Sequence, residues 1–189
     1  LINKLLAWPE DFHPLRKVKK LLEDKKALFD REGKIDWGTA ELLAYASILM
    51  ENKDVRLSGE DVKRGTFAHR HAVLFDENDN SEYNRLNHLK PGQTAQFRVY
   101  NSLLSEYAVM GYEYGYALAN PNALAVWEAQ YGDFANGAQM VIDQYVSSAE
   151  SKWGLMSGVV VLLPHGYEGS GPDHSSARLE RYLQSCAEE

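Results

Sequence analysis

From residue 72 onward the sequence alternates short runs rich in β-branched and aromatic residues with longer stretches of helical periodicity. No other feature limits the fold so strongly. A strand followed by a helix and another strand closes most readily as a crossover, which sets the two strands parallel. The candidate strands are Ala72–Phe75, Phe97–Tyr100, Leu124–Trp127 and Val159–Leu163, and the candidate helices are Leu104–Leu118, Gly137–Ala149 and Ser176–Cys186. Together they predict an α/β domain: a mostly parallel sheet flanked by helices.

The first fifty residues have a different character. Leu15, Val18, Leu21, Leu22 and Leu28 recur at helical spacing, and Gly33 ends that run. Asp36 is placed to cap a second helix through Trp37, Leu42, Leu43, Ala46 and Leu49. The expected division is therefore a helical linker over 1–53 and a domain over 54–189. Asp76–Gly92 is polar and reads as a long loop, or equally as a disordered excursion.

Charge and cysteine content narrow the function classes. The formal net charge is −7, the wrong sign for a general binder of nucleic acid or of anionic membranes. One basic run, Arg16–Lys20, is followed by Glu23 and Asp24 and reads as a solvated helix face. Cys186 stands alone, so neither an internal disulfide nor a cysteine zinc site can form, which fits a reducing compartment. No apolar run reaches membrane-spanning length. A start of Leu1-Ile2-Asn3-Lys4, without an initiator Met or a signal-peptide layout, reads as a segment of something longer.

Four clusters carry chemically useful residues. Arg56–His71 mixes charges, glycines and two histidines ahead of a strand. It reads either as a ligand-facing loop or as a charged helix start, with Ser58 as cap and Glu60 and Asp61 in the first turn, the second being slightly favoured. His69 and His71 would share a face on an extended backbone, but no third ligand accompanies them, so no metal is expected here. Asn101–Gly111 joins a strand to a helix and sets Glu106 in the first helical turn, at the strand end where open α/β sheets bind ligands. A carboxylate there either complements the helix dipole or serves as a partly buried acid for proton transfer. Trp127–Gly137 repeats the strand-to-helix logic with aromatics in the loop, either a stacking platform or a cover for the sheet edge. Leu163–Arg178 crowds glycines, prolines and two histidines into one loop, with Ser175 or Ser176 placed to cap the next helix. No nucleophile elbow, phosphate-binding Walker loop or zinc-protease motif occurs.

Taken together, Arg56–His71, Asn101–Tyr116, Trp127–Trp153 and Leu163–Leu183 resemble the 2-oxoglutarate dehydrogenase family, the thiamine-diphosphate-dependent first component of its complex. The segment looks like the transketolase-like pyrimidine-binding domain of that family. The resemblance implies a site role for several residues. Glu106 matches the glutamate that hydrogen-bonds the cofactor's aminopyrimidine ring, and Leu104 the apolar side chain that props the cofactor in its bent form. Phe134 matches the aromatic that stacks on the pyrimidine, with Tyr131 as an alternative. His174 matches a histidine facing the substrate, and His165 is a weaker second candidate. Glu60 stands where many relatives carry glutamine near the substrate, and a carboxylate there would repel a dicarboxylate unless protonated or paired.

The implied reaction is decarboxylation of 2-oxoglutarate with transfer of succinyl to a lipoyl-bearing succinyltransferase component. Magnesium and its ligands are expected in a separate diphosphate-binding domain, the complete site in a homodimer, and the compartment is bacterial cytoplasm or mitochondrial matrix. A fragment of this kind is expected to lack turnover by itself. Neighbouring readings are a 2-oxoadipate dehydrogenase or a 2-oxoglutarate decarboxylase. A reading of another class is a non-catalytic dimerisation or regulatory module, which would have no chemical need for an acid at Glu106.

Overall fold

The computed structural model describes residues 1–166, 171 and 174–186. In chain order the elements are α1 (Ile2–Leu5), α2 (Arg16–Glu32), α3 (Trp37–Met50), β1 (Val55–Gly59), β2 (Val73–Phe75), β3 (Glu82–Asn84), a 3₁₀ turn (Arg85–His88) and β4 (Phe97–Asn101). There follow α4 (Glu106–Ala119), β5 (Leu124–Glu128), a 3₁₀ turn (Gly132–Ala138), α5 (Gln139–Val141), a π-helical turn (Ile142–Val146), α6 (Ala149–Trp153), β6 (Val160–Leu162) and α7 (Leu179–Ser185). Two compact units divide them: Leu1–Val55 with Lys63–Arg98, and Arg56–Val62 with Val99–Glu189. Among the described residues no helix is long and apolar enough to cross a membrane.

The first unit holds the expected helical pair. Gly33 closes α2 in a left-handed conformation, its N–H bonded to the Phe29 carbonyl. Asp36 caps α3 by accepting from the Thr39 N–H at 2.7 Å. The polar stretch Asp76–Gly92 contains regular structure, against the expectation of a loop. β2 and β3 form an antiparallel hairpin with Val73 opposite Asn84 and Phe75 opposite Glu82. Its order comes from polar side chains that satisfy backbone groups. Gln93 accepts from the Leu89 N–H and donates to the Leu86 and Ala95 carbonyls, each at 2.9 Å. Arg85, 2% exposed, donates to the carbonyls of Leu5 and His71. Burial lowers its pKa to about 10, so it remains charged at neutral pH. The backbone around His69 and His71 is not extended: Ala68 and His71 have φ of 51° and 42°, so the shared-face geometry does not form.

The second unit carries the parallel architecture. The four-stranded sheet runs β4-β1-β5-β6, with β6 parallel to β5 and Trp127 opposite Val161. Three of its strands were legible in the sequence; β1 was not. Val55–Gly59 is a strand, so Ser58 caps no helix, and Glu60 follows a strand end instead of opening a helix. Val-Arg-Leu-Ser alternates apolar and polar residues, a strand period masked by the charges around it. The expected helix over Gly137–Ala149 is replaced by a 3₁₀ turn, a short α-turn and a π turn. Ser147 and Ser148 explain part of this, since both hydroxyls bond the Asp143 carbonyl at 3.0 and 2.7 Å and compete with the helical ladder. Nor does Ser175 or Ser176 cap α7; Ser176 accepts from the Arg178 N–H in a turn before it, and Arg178 is left-handed at the cap. Around β5 the core gathers Met110, Trp127, Ala135, Ala138, Val141 and Ile142. Helix α4 packs on β5 and on the 3₁₀ turn that precedes α5.

Candidate active site

Glu60 follows β1, Glu106 opens α4 after β4, and Gln130 follows β5; all three line one narrow cleft at the carboxyl ends of these strands. Two local features let the backbones close in. Gly59 ends β1 so near β5 that a Cβ would stand 2.4 Å from the Glu128 carbonyl oxygen. Gly137, in the 3₁₀ turn, leaves room for the Glu106 carboxyl, which would lie 3.2 Å from a Cβ at that position. Ser105 caps α4, accepting from the Ala108 N–H at 3.3 Å, and so fixes Glu106 as the first helical residue. The positive end of the helix favours negative charge there.

In this cleft Glu60 is an electrostatic neighbour of Glu106. The Glu60 Oε1 is buried and has no hydrogen-bond partner among the described residues. Burial first, and then the neighbouring Glu106 carboxylate, push the Glu60 pKa above the ordinary glutamate range. A carboxyl whose neutral form is favoured in this way is suited to proton transfer. A pH dependence follows. A raised folded-state pKa adds stability that is fully present below the unfolded value and is lost as pH rises through the folded one. We expect Glu60→Gln to melt at or above the wild-type temperature at pH 7. The two should converge below about pH 4, where glutamates are protonated in either state. A Glu60→Gln protein that melts lower than wild type at pH 7 would contradict this.

A second group of predicted residues comes together at the 3₁₀ turn. The ring of His174 stands 4.7 Å from that of Tyr131 and 4.9 Å from that of Phe134, both edge-on. Tyr131 and Phe134 are themselves 6.1 Å apart at an interplanar angle of 80°. The turn Gly132–Ala138 carries Phe134 and, through Gly137, touches Glu106, so one short element joins the ring cluster to the acid pair. Its first N–H donates to the Pro164 carbonyl at 2.7 Å, anchoring it to the chain beyond β6. His165 stays apart: it is exposed, with Nδ1 3.1 Å from the Leu163 carbonyl. Leu104 is 81% exposed, while Leu103, beside it, lines the cleft. The rest of the His174 loop, Tyr167–Ser170 with Pro172 and Asp173, lies outside the described residues.

These features fit an aromatic nitrogen heterocycle: a carboxyl pair with an unsatisfied buried oxygen for its polar edge, and ring edges and faces for its plane. The transketolase, pyrimidine binding domain family matches residues 33–188, most of the chain. The chain belongs to that family. As a pyrimidine-binding domain it is similar to part of several curated bacterial proteins. It is 56% identical over 189 residues to the 2-oxoglutarate dehydrogenase E1 component of Haemophilus influenzae, covering 100% of this chain and 20% of that protein. Against the proteins of the same name from Brucella ovis and Brucella abortus it is 56% identical over 187 residues, 99% of this chain and 18% of each. The chain therefore spans about a fifth of the length of these relatives.

One part of the site escaped the sequence reading. Glu113, fully buried on α4, accepts from Arg56 Nε at 2.8 and 2.9 Å and from the Ser58 hydroxyl at 2.8 Å. In the sequence Glu113 looks like an ordinary solvent-facing helix charge. The available signal was its spacing from Glu106, two helical turns along the same face.

Proposed function

We propose that this chain supplies the pyrimidine-binding half of a thiamine-diphosphate site in a 2-oxoglutarate dehydrogenase first component. The observation that carries the reading is the Glu106 carboxyl at the sheet edge, linked through one 3₁₀ turn to the Tyr131–Phe134–His174 ring cluster. The names of the bacterial relatives supply the substrate.

When bound, thiamine diphosphate supplies the nucleophile and the electron sink that decarboxylation of a 2-oxo acid requires. The chain's own residues orient it and manage protons. Glu106 hydrogen-bonds the pyrimidine ring nitrogen, and Glu60 stands in the same cleft as a group that can carry a proton. Phe134 offers its ring to the pyrimidine face, with Tyr131 behind it, and Leu104 supports the cofactor's bend. His174, with His165 as second candidate, faces the substrate. Glu60 in its protonated form does not repel a dicarboxylate. Residues 1–53 serve as a helical linker and 54–189 as the pyrimidine-binding domain proper. Magnesium and the diphosphate ligands belong to the diphosphate-binding domain of the parent chain, and the working enzyme is a homodimer of the bacterial cytoplasm. It passes succinyl to the lipoyl group of a succinyltransferase component.

The test uses the full-length parent with thiamine diphosphate, magnesium and an artificial electron acceptor. Reduction is expected with 2-oxoglutarate, and none is expected from the 189-residue chain alone. Preference for 2-oxoadipate, or carbon dioxide release without reduction of the acceptor, would shift the assignment to a sister enzyme. Turnover by the isolated chain would refute its being half of a site.

A further inference from the structure

The acid pair raises a mechanical question. Glu60 and Glu106 line one cleft, and their closeness depends on where α4 sits on β1. Something must hold the helix in place. Along β1, Arg56 and Ser58 share one strand face, and Glu60 follows just past the strand end, about 13 Å from Arg56 in extended chain. Along α4, Glu106 and Glu113 share a face two turns apart, about 10 Å along the axis. The two rows are comparable in length and run antiparallel: Glu113 meets Arg56 and Ser58, and Glu106 lines one cleft with Glu60.

The attractive end of this match is tightly specified. Glu113 is 0% exposed and receives three hydrogen bonds, two from Arg56 and one from Ser58. The guanidinium of Arg56 is held in turn by three tyrosine rings, Tyr100 at 4.6 Å, Tyr112 at 4.9 Å and Tyr116 at 5.0 Å. Two of these rings stand on α4 itself, so the helix grips the arginine through both its acid and its aromatics.

We propose that Glu113, clamped by Arg56 and Ser58, is a positioning residue that fixes the register of α4 on β1 and thereby holds Glu106 beside Glu60. The inference rests on the reading of Glu106 as the group that meets the cofactor. Glu113 itself touches neither cofactor nor substrate.

The test is a mutant cycle in the full-length enzyme, with kcat and substrate KM measured for Glu113→Gln, Glu106→Gln and the double variant. Glu113→Gln is expected to lower kcat about tenfold or more, as a small misplacement of a reacting group does, with KM changed less than about twofold. In the Glu106→Gln background the same change should have almost no further effect, because the group it positions is already gone. Ser58→Ala removes one bond of the clamp and should give the same pattern more weakly, which keeps the test decisive if Glu113→Gln fails to fold. Multiplicative losses in the double variant, or a wild-type kcat in a folded Glu113→Gln, would overturn the positioning role alone. Normal activity in Glu106→Gln would instead overturn the cofactor reading, and this inference with it.

Discussion

Glu106→Gln in the full-length enzyme should reduce 2-oxoglutarate-dependent turnover by about 10²-fold or more, the range a positioned acid–base group contributes. The substitution keeps shape and hydrogen-bonding capacity but removes the exchangeable proton and the charge. Ser105 still caps α4 and Gly137 still leaves space at the carboxyl position, so the protein should fold and assemble as before. The loss is therefore chemical and not structural, and equal melting temperatures with unequal kcat would demonstrate it. His174→Ala serves as the comparison. It removes the ring packed edge-on against Tyr131 and Phe134, and should weaken handling of the substrate while leaving cofactor binding intact. Near-normal turnover in Glu106→Gln would remove the basis for the thiamine assignment.

Trp127→Ala should produce the largest loss of stability of any single change in the second unit. Trp127 is 1% exposed, sits on β5 opposite Val161 of β6, and packs into the cluster of Met110, Ala135, Ala138 and Val141. Removing so large a ring leaves a cavity that small neighbours such as Ala135 and Ala138 cannot fill. The cost of such a truncation is about 3–5 kcal/mol. For a chain of this size that corresponds to a drop in melting temperature on the order of 10 °C. Thermal and urea unfolding of the 189-residue chain, followed by circular dichroism, would measure it. A change below about 1 kcal/mol would mean that the sheet is not built around this residue. Because Trp127 also walls the cleft that holds Glu60 and Glu106, the same variant should lose activity below its melting temperature.

The sequence by itself determined the class of fold and which segments follow the strand ends. Alternating strand and helix periods place Glu106, the Trp127–Gly137 turn and the His174 loop each after a strand, and parallel strands bring such segments to one edge. The caps at Asp36 and Gly33 were legible because they depend on a few neighbouring residues. Where the outcome depended on partners distant in sequence, periodicity did not decide it. β1 is a strand because it pairs within the sheet, although Arg56–His71 has the charge content of a helix start. The β2–β3 hairpin is ordered because Gln93 and Arg85 satisfy backbone groups that a polar loop would leave to water. Only the tertiary structure put Glu60 and Glu106 in one cleft and buried Glu113 under Arg56 and Ser58. Those pairs are 46 and 57 positions apart, and no local pattern encodes a pairing made by the docking of a helix on a sheet.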